Sequence, residues 1–304
     1  MFPKETLISN PIECGINKKD TNPSTTCNVV SLCIQDKKEF VTMGDDYNLI
    51  LAHSNLRTDV LISLSGGKKS PHDLRKELNV SSSTASHALR ELENNNFIYH
   101  DAERNYLLTN SGKILTNRLI DDKDLIETLH KFESFWLKYD LSAIPDHLLD
   151  KIGWLKDSRI VSGTPNNVLK TYTTVMKLLK DAKKVRVVSS ILIPDVKLLF
   201  DMFGAEKDLR VILTEEVLNS SIEAVGREQL RKATEKNVKL CIIRQNPKIG
   251  VLAVTEHFVS LGPFRLDGTF DFANHLMSCN KKAIDWGLAL FNHYAEVAES
   301  VDLS

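Results

Sequence analysis

The apolar residues of this chain fall into two textures, helical spacing in the first half and alternation in the second. From Tyr47, the positions Leu49, Ile50, Leu56, Val60, Leu61 and Leu64 recur at helical spacing, and Gly66 and Gly67 end that run. In SPHDLRKEL, Ser70 suits an N-cap, Pro71 the first helical position and Asp73 the first turn, so a second helix starts there. After the short turn NVS, Ser81 caps SSTASHALRELENNN, in which Ala85, Ala88, Leu89 and Leu92 share one face. FIYH and NYLLT read as two short strands joined through DAER, and SGKILTNRLI opens another helix. Three helices followed by a two-stranded wing is the order of a winged helix-turn-helix.

Amphipathic helices rich in aromatic residues follow in DLIETLHKFESFWLKYDLSAIPDHLLDKIGWL. Beyond Ser158 the pattern alternates: RIVSG, VRVVSSI, LRVILT, VKLCII, GVLAVT and FVSLGPF read as strands. Helical runs are expected over Pro165–Lys180, Asp195–Phe203 and Glu215–Lys236, and a last helix in NKKAIDWGLALFNHYAEVAES. The expected fold class is therefore α+β. It comprises a winged helix-turn-helix over residues 43–118, a helical linker and dimerisation segment over 119–157, and an α/β regulatory domain over 158–304. Residues 1–42, rich in Asn, Thr, Ser, Lys and Asp and without a period, are expected to be a disordered or weakly ordered extension. Met43 is a candidate translation start, a reading that native mass spectrometry finding earlier residues would exclude.

At 304 residues the chain is long enough for two domains. A formal net charge of −1 argues against a uniformly basic coat, yet leaves room for a local basic face. The cysteines Cys14, Cys27, Cys33, Cys241 and Cys279 form no CxxC pair, so no metal site is expected and no cofactor either. Cys241 in VKLCII and Cys279 beside Met277 are expected to be buried thiols, and the three nearer the amino terminus leave a redox-sensor role open. No apolar run approaches the roughly 18 residues that span a bilayer, and no secretion signal is evident, so a cytoplasmic protein without membrane partners is expected.

The third helix carries the candidate chemistry. With its apolar face turned inward, Ser82, Ser83, Thr84, Ser86, His87 and Arg90 face outward or flank the exposed side. A major groove accepts one such helix. There the hydroxyls donate to phosphate, His87 bonds a base or phosphate, and Arg90 neutralises phosphate or pairs with guanine. Lys68, Lys69, Arg75 and Lys76 precede it and Arg104 sits at the wing tip, and of these Lys68, Lys69, Arg75 and Arg104 are the candidates for phosphate grip. Double-stranded DNA is thus the expected partner, bound by a homodimer. The alternative is an adaptor whose winged helix docks on protein, which the local acids Asp73, Glu77, Glu91 and Glu93 favour by offsetting the basic charge.

The same stretch resembles the winged-helix domains of MarR- and ArsR-type regulators, through Ser81, Ser83, Thr84, Ser86 and Leu89, with Ala85 where Val is usual. Further on, FWLKYDLSAIPDHLLDKIGWLKDSRIV, VILTEEV, VLAVTEHFVSLGPFRLDGTFD and KKAIDWGLALFNHYAE resemble the methanogenesis regulator FilR family of archaeal transcription regulators. The closing helix of that family is matched by Ala283, Trp286, Gly287, Leu290, Phe291 and Tyr294. The resemblance covers Met43 to Glu299 and implies a dimeric DNA-binding regulator. More loosely, the second domain resembles the phospholipase-D-like domain of TrmB-type regulators.

An enzyme of that fold needs H-x-K-x4-D, and none of His257, His275 or His293 begins one, so no phosphodiesterase is expected. Candidate effector residues are Asp267, Asp271, Asn274 and His275, read as a loop after an apolar strand, and Arg244 at the end of CIIR. Their alternative is a hairpin turn at Asp267–Gly268 with solvated neighbours, and an exposed strand-end charge at Arg244. The effector would be a small molecule or a protein partner. Trp286 and Phe291 are expected in the core, and Phe135, Trp136 and Trp154 in the core or a dimer seam.

Overall fold

The protein's structure, a computed structural model, describes residues 55–303 apart from 165–168, 195, 197–206, 236–237 and 246. The extension expected over 1–42, the first residues of the helix read from Tyr47 and most of the helix expected over Asp195–Phe203 lie outside the described residues. The chain divides into two compact units, with the division at Gly112.

The first unit contains α1 (Asn55–Leu64), α2 (Pro71–Leu78), α3 (Ser82–Asn94), β1 (Ile98–His100) and β2 (Tyr106–Leu108). The start of α2 is a complete capping box. The Ser70 hydroxyl accepts from the Asp73 amide at 3.2 Å, and the Asp73 carboxylate accepts from the Ser70 amide at 3.4 Å. Asn79 then takes the left-handed conformation (φ 51°) that ends the helix, and two residues later Ser81 caps α3 by accepting from the Thr84 amide. The core consists of Val60, Leu61 and Leu64 from α1, Leu74 from α2, Ala85, Ala88, Leu89 and Leu92 from α3, and Phe97, Ile98 and Leu108. The hairpin pairs Ile98 with Leu108 and His100 with Tyr106, and Lys69 adds its backbone to Tyr106 at 2.8 and 3.2 Å. A further helix, α4 (Asn110–Lys131), begins with Gly112 against β1. A Cβ at Gly112 would lie 1.9 Å from the Phe97 carbonyl oxygen, so only glycine permits this approach.

The second unit is an eight-stranded mixed sheet covered on both faces. Ahead of it come α5 (Glu133–Trp136), α6 (Asp146–Leu149) and a single 3-10 turn at Ile152–Leu155. Its elements are β3 (Arg159–Ser162), α7 (Lys170–Asp181), β4 (Lys184–Ser189), β5 (Asp208–Thr214), α8 (Glu215–Val225), α9 (Arg227–Thr234) and β6 (Val238–Ile243). They continue with β7 (Val251–Thr255), β8 (Val259–Gly262), β9 (Asn274–Ser278), α10 (Lys281–Ala295) and β10 (Glu299–Ser300). The strand order is β10-β6-β5-β4-β7-β8-β9-β3, with β4, β5 and β6 parallel and every other pairing antiparallel.

Alternation along each strand assigns the two faces. Val188, Ile212, Leu252, Val254, Val259 and Leu276 meet Trp286, Leu290, Phe291 and Tyr294 of α10. The segment read from sequence as a linker shares this core through Phe135, Tyr139, Ile144, Leu148, Ile152 and Leu155, with Trp136 and Trp154 half-buried beside them. On the other face Val185, Val187, Leu209, Val211 and Leu240 meet Met176 and Leu179 of α7, Val217 and Leu218 of α8, and Leu230 of α9. Trp286 also donates its indole N–H to the Leu148 carbonyl at 2.9 Å, which satisfies the one polar atom its ring takes out of water.

Three sequence expectations need correction. The run expected over Glu215–Lys236 breaks at Gly226 (φ 93°), where α8 stops and α9 starts. Asn274 and His275 do not lie in a loop but open β9, hydrogen-bonded to β8 and β3. Cys279 is exposed just past the end of β9, and Cys241 is half-buried rather than sealed.

Trp286 is 1% exposed and fills the core, whereas Leu288, two residues along and on the opposite side of the same helix, is 38% exposed. Trp286→Ala should lower the unfolding free energy by about 3–5 kcal/mol in urea titrations, and Leu288→Ala should change it by less than about 1 kcal/mol.

Candidate functional site

The exposed side of α3 is built by its caps and its buried face together. Ala85, Ala88, Leu89 and Leu92 fix the helix against α1 and α2, which leaves Ser82, Ser83, Thr84, Ser86, His87 and Arg90 exposed. Ser83, Ser86, His87 and Arg90 stand at i, i+3, i+4 and i+7, one stripe along the amino-terminal half and middle of the helix. The cap engages part of the hydroxyl set: Ser81 Oγ lies 2.9 Å from Ser83 Oγ and 2.7 Å from Thr84 Oγ1. Arg75 donates to Ser82 Oγ at 2.7 Å and approaches His72 Nδ1 at 3.2 Å, so α2 presents a guanidinium beside the start of α3.

Charge in this unit is balanced in number, with seven Lys and Arg and seven Asp and Glu between residues 55 and 112. Its pairing is uneven. Lys69 bonds Glu77 at 2.5 Å, and Lys68 lies 3.2 Å from Glu103 and 3.4 Å from Asp101, whose carboxylates raise its affinity for its proton. Arg57 pairs with Glu91, which also lies 3.2 Å from His87 Nδ1, and His100 binds Glu93 at 2.6 Å. Four basic residues keep no acidic partner among the described residues: Arg75, Lys76, Arg90 and Arg104. Arg104 occupies the hairpin tip in the left-handed conformation (φ 63°), held by the turn in which Asp101 accepts from the Glu103 and Asn105 amides. Of the four, Lys76 is read from sequence as a basic residue ahead of the third helix but not as one of the phosphate-gripping set.

In the second unit the effector candidates separate. Arg244, exposed at the end of β6, pairs with Glu299 of β10 at 2.9 Å and stands apart from the others. Asp267 closes the turn at Gly268 by accepting from the Thr269 amide at 2.9 Å and from its hydroxyl at 2.6 Å. Asp271 is the centre of a buried polar knot. Its Oδ2 accepts from Tyr139 at 2.8 Å, Arg265 at 2.7 and 3.2 Å and Asn274 at 3.0 Å, while its Oδ1 accepts from the Ala273 amide at 3.0 Å. Burial alone would push this carboxyl up; the bonds from Arg265, Asn274 and Tyr139 outweigh it and hold Asp271 at about 2. Burial and the neighbouring carboxylate push the Tyr139 phenol up to about 12. Tyr139, Arg265, Asp267, Asp271 and Asn274 line a groove of about 710 Å³.

His275 faces a different space, with its ring 6% exposed and its Nδ1 3.1 Å from Ser260 Oγ. Burial lowers its affinity for a second proton to about 4, so the ring is neutral at physiological pH. A Cβ at Gly262 would come 2.6 Å from His275 Nε2, so the glycine makes room for the imidazole. None of Asp271, Tyr139 and His275 titrates near neutrality. Among the described residues no group of three His, Cys, Asp or Glu is placed to hold a metal ion, and no helix is long and apolar enough to cross a membrane.

Two family models match the chain. That described as the N-terminal domain of the methanogenesis regulatory protein FilR1 matches residues 49–129, and that of its middle domain matches residues 168–297. A curated relative, the methanogenesis regulatory protein FilR1 of Methanothrix harundinacea (strain 6Ac), is 28% identical over 260 residues. The alignment takes in 83% of this chain but 57% of the relative, so the chain spans little more than half of the relative's length. Among solved structures, TrmBL2, described as an archaeal chromatin protein with a novel mode of DNA binding, is 16% identical with a TM-score of 0.37, over 84% of this chain and 98% of its own. A phospholipase D family member, Nuc from Salmonella typhimurium, is 13% identical with a TM-score of 0.36, over 47% of this chain and 98% of its own. At scores this low neither likeness carries an argument.

The depressed His275 basicity has a consequence for stability. Between about pH 6.5 and 4 the unfolded chain takes up a proton that the folded ring refuses. The contribution is therefore complete above pH 6.5 and lost as pH falls to about 4; that of Asp271 follows between 3.8 and about 2. Urea titrations should show the second unit losing roughly 2–3 kcal/mol between pH 6.5 and 4. His275→Phe should flatten that limb and leave the fall below pH 4; an unchanged limb would mean the ring titrates normally.

Proposed function

The chain belongs to the FilR family of methanogenesis regulatory proteins, and on that premise we propose that it is a sequence-specific, DNA-binding transcription regulator. The first unit acts as a winged helix-turn-helix: α3 enters the major groove, and the β1–β2 hairpin is the wing. The observation that carries this reading is the stripe Ser83, Ser86, His87 and Arg90, exposed on a helix whose opposite face is fully packed. Arg90, at the end of that stripe and without an acidic partner among the described residues, is free to pair with a guanine, while Ser82, Ser83, Thr84, Ser86 and His87 supply shorter polar contacts.

Phosphate contacts come from Arg75 beside the start of α3 and from Arg104 on the wing, with Lys76 added to the set. Lys68 and Lys69 take a lesser part, because each would first have to give up its carboxylate partners. Two copies of the chain grip two half-sites, and the second unit, a phospholipase-D-like α/β domain in this reading, biases that grip by binding a ligand or a partner. It does so as a regulator in the cytoplasm and not as an enzyme.

Selection of random duplex DNA on the purified protein tests this. An enriched, two-fold motif is expected, and Arg90→Ala should cost about 1–3 kcal/mol at one base position of each half-site. Affinity should fall steeply with salt, and each of Arg75→Ala and Arg104→Ala should reduce the slope of log affinity against log salt by about 1. No enrichment together with salt-insensitive background would replace this reading with the protein-docking adaptor, which the equal numbers of acids and bases in the first unit favour.

A further inference from the structure

At the carboxyl end of β4, where the parallel part of the sheet meets antiparallel β7, the second unit holds a cavity of about 50 Å³. Crevices at the carboxyl ends of parallel strands are where α/β sheets receive ligands. Among the described residues its walls include Val175 and Met176 of α7, Val187, Val251, Phe270 and Phe272, and they are almost wholly apolar. His275 is the exception. Its ring lines the cavity and is buried, and among the described residues its Nε2 has no hydrogen-bond partner.

The proton on this ring can be placed from the hydrogen bonds around it. Ser260 is buried on β8, and its hydroxyl has His275 Nδ1 as its partner. Were Nδ1 to carry the proton and donate, the serine O–H would be left without an acceptor inside the core, at the cost of an unsatisfied buried donor. The satisfied arrangement has Ser260 donating to Nδ1, which puts the proton on Nε2 and presents an N–H to the cavity. The ring stays neutral at physiological pH, so this donor suits an uncharged acceptor. Tyr172, the other polar side chain on the wall, donates its hydroxyl to the Pro194 carbonyl at 2.5 Å. A water molecule needs two to four polar partners to be held well, and among the described residues this cavity offers it the imidazole N–H alone.

The geometry points to a binding site in this cavity for a small, neutral, mostly apolar molecule that carries a carbonyl-type acceptor, with the acceptor on His275 Nε2 and the apolar body against Val187, Val251 and Phe270. Gly262 belongs to the site because any side chain there would displace the imidazole. This deepens the reading of the second unit as the sensing part of a regulator and rests on it for its role, but not for its chemistry. The polar groove around Asp271 is a separate feature, since Tyr139, Arg265 and Asn274 already occupy the acceptors of that carboxylate.

The test is direct binding of acetone and propane, small enough for this cavity, to the full chain at pH 7, followed by the imidazole nitrogen resonances of His275 and by titration into the millimolar range. Saturable binding of the ketone with a shift of the Nε2–H signal is expected. His275→Phe should weaken the ketone roughly tenfold, by stranding its carbonyl, and leave propane within about twofold. Ala253→Val, which adds two methyl groups to the cavity wall while keeping the strand, should abolish both and melt no lower than the original. No saturable ketone binding would overturn the proposal, as would a ketone-to-hydrocarbon ratio unchanged by His275→Phe. Should that variant not fold, an unshifted His275 Nε2 signal in the original protein at ketone saturation overturns it equally. Any of these failures leaves the DNA selection untouched, so loss of the site and loss of the regulator reading are told apart.

Discussion

The sheet of the second unit has to be covered on both faces, and most of that unit follows from this requirement. Parallel strands such as β4, β5 and β6 are apolar on both sides and are stable only as a middle layer. One cover is α7, α8 and α9; the other is α10 together with the segment from Phe132 to Leu155. Several of the polar groups that enter this interior have their bonding completed there. Asp271 is surrounded by four donors, Trp286 reaches the Leu148 carbonyl, and Ser260 is bonded to His275. Among the described residues, the His275 Nε2 has no such partner.

How far the sequence disclosed this can be judged residue by residue. The caps at Ser70 and Ser81 and the buried quartet of α3 were legible, because propensity, capping and period all point the same way there. Strand β9 was not, since it opens on Asn274 and His275, and a strand buried on both faces lacks the alternation that marks a half-exposed one. The break between α8 and α9 had its signal in Gly226, which helical spacing on either side overrode. Cys279 looked buried by proximity to Met277, yet it lies beyond the last strand pair, where side chains no longer face the core. The site residues were hardest. Arg265 meets Asp271 across a turn, Tyr139 comes from a segment more than a hundred residues away, and no local pattern encodes either meeting.

In the first unit a net charge near zero conceals a partition. Glu77, Glu91, Glu93, Asp101 and Glu103 are each drawn to a base on another element, so most of the acids are engaged inside the unit. Among the described residues Arg75, Lys76, Arg90 and Arg104, around α3 and on the hairpin tip, are in no such pair. Counting charges along the chain cannot see this, because the pairs join residues 7 to 35 positions apart. Exposed pairs of this kind add little to stability. Their larger effect is on which charges remain for another molecule to meet.

The pairing of β3 with β9 has a bearing on how the chain is made. The first unit is closed by contacts between near neighbours and has all its described elements by the time residue 112 leaves the ribosome. The second unit cannot do likewise. Its first strand, Arg159–Ser162, waits for Asn274–Ser278, and the apolar surface of Leu148, Ile152 and Leu155 waits for Trp286 and Phe291. Through most of synthesis that surface is uncovered, so the emerging chain carries a finished head and an open half-sheet, the condition in which nascent proteins depend most on chaperones.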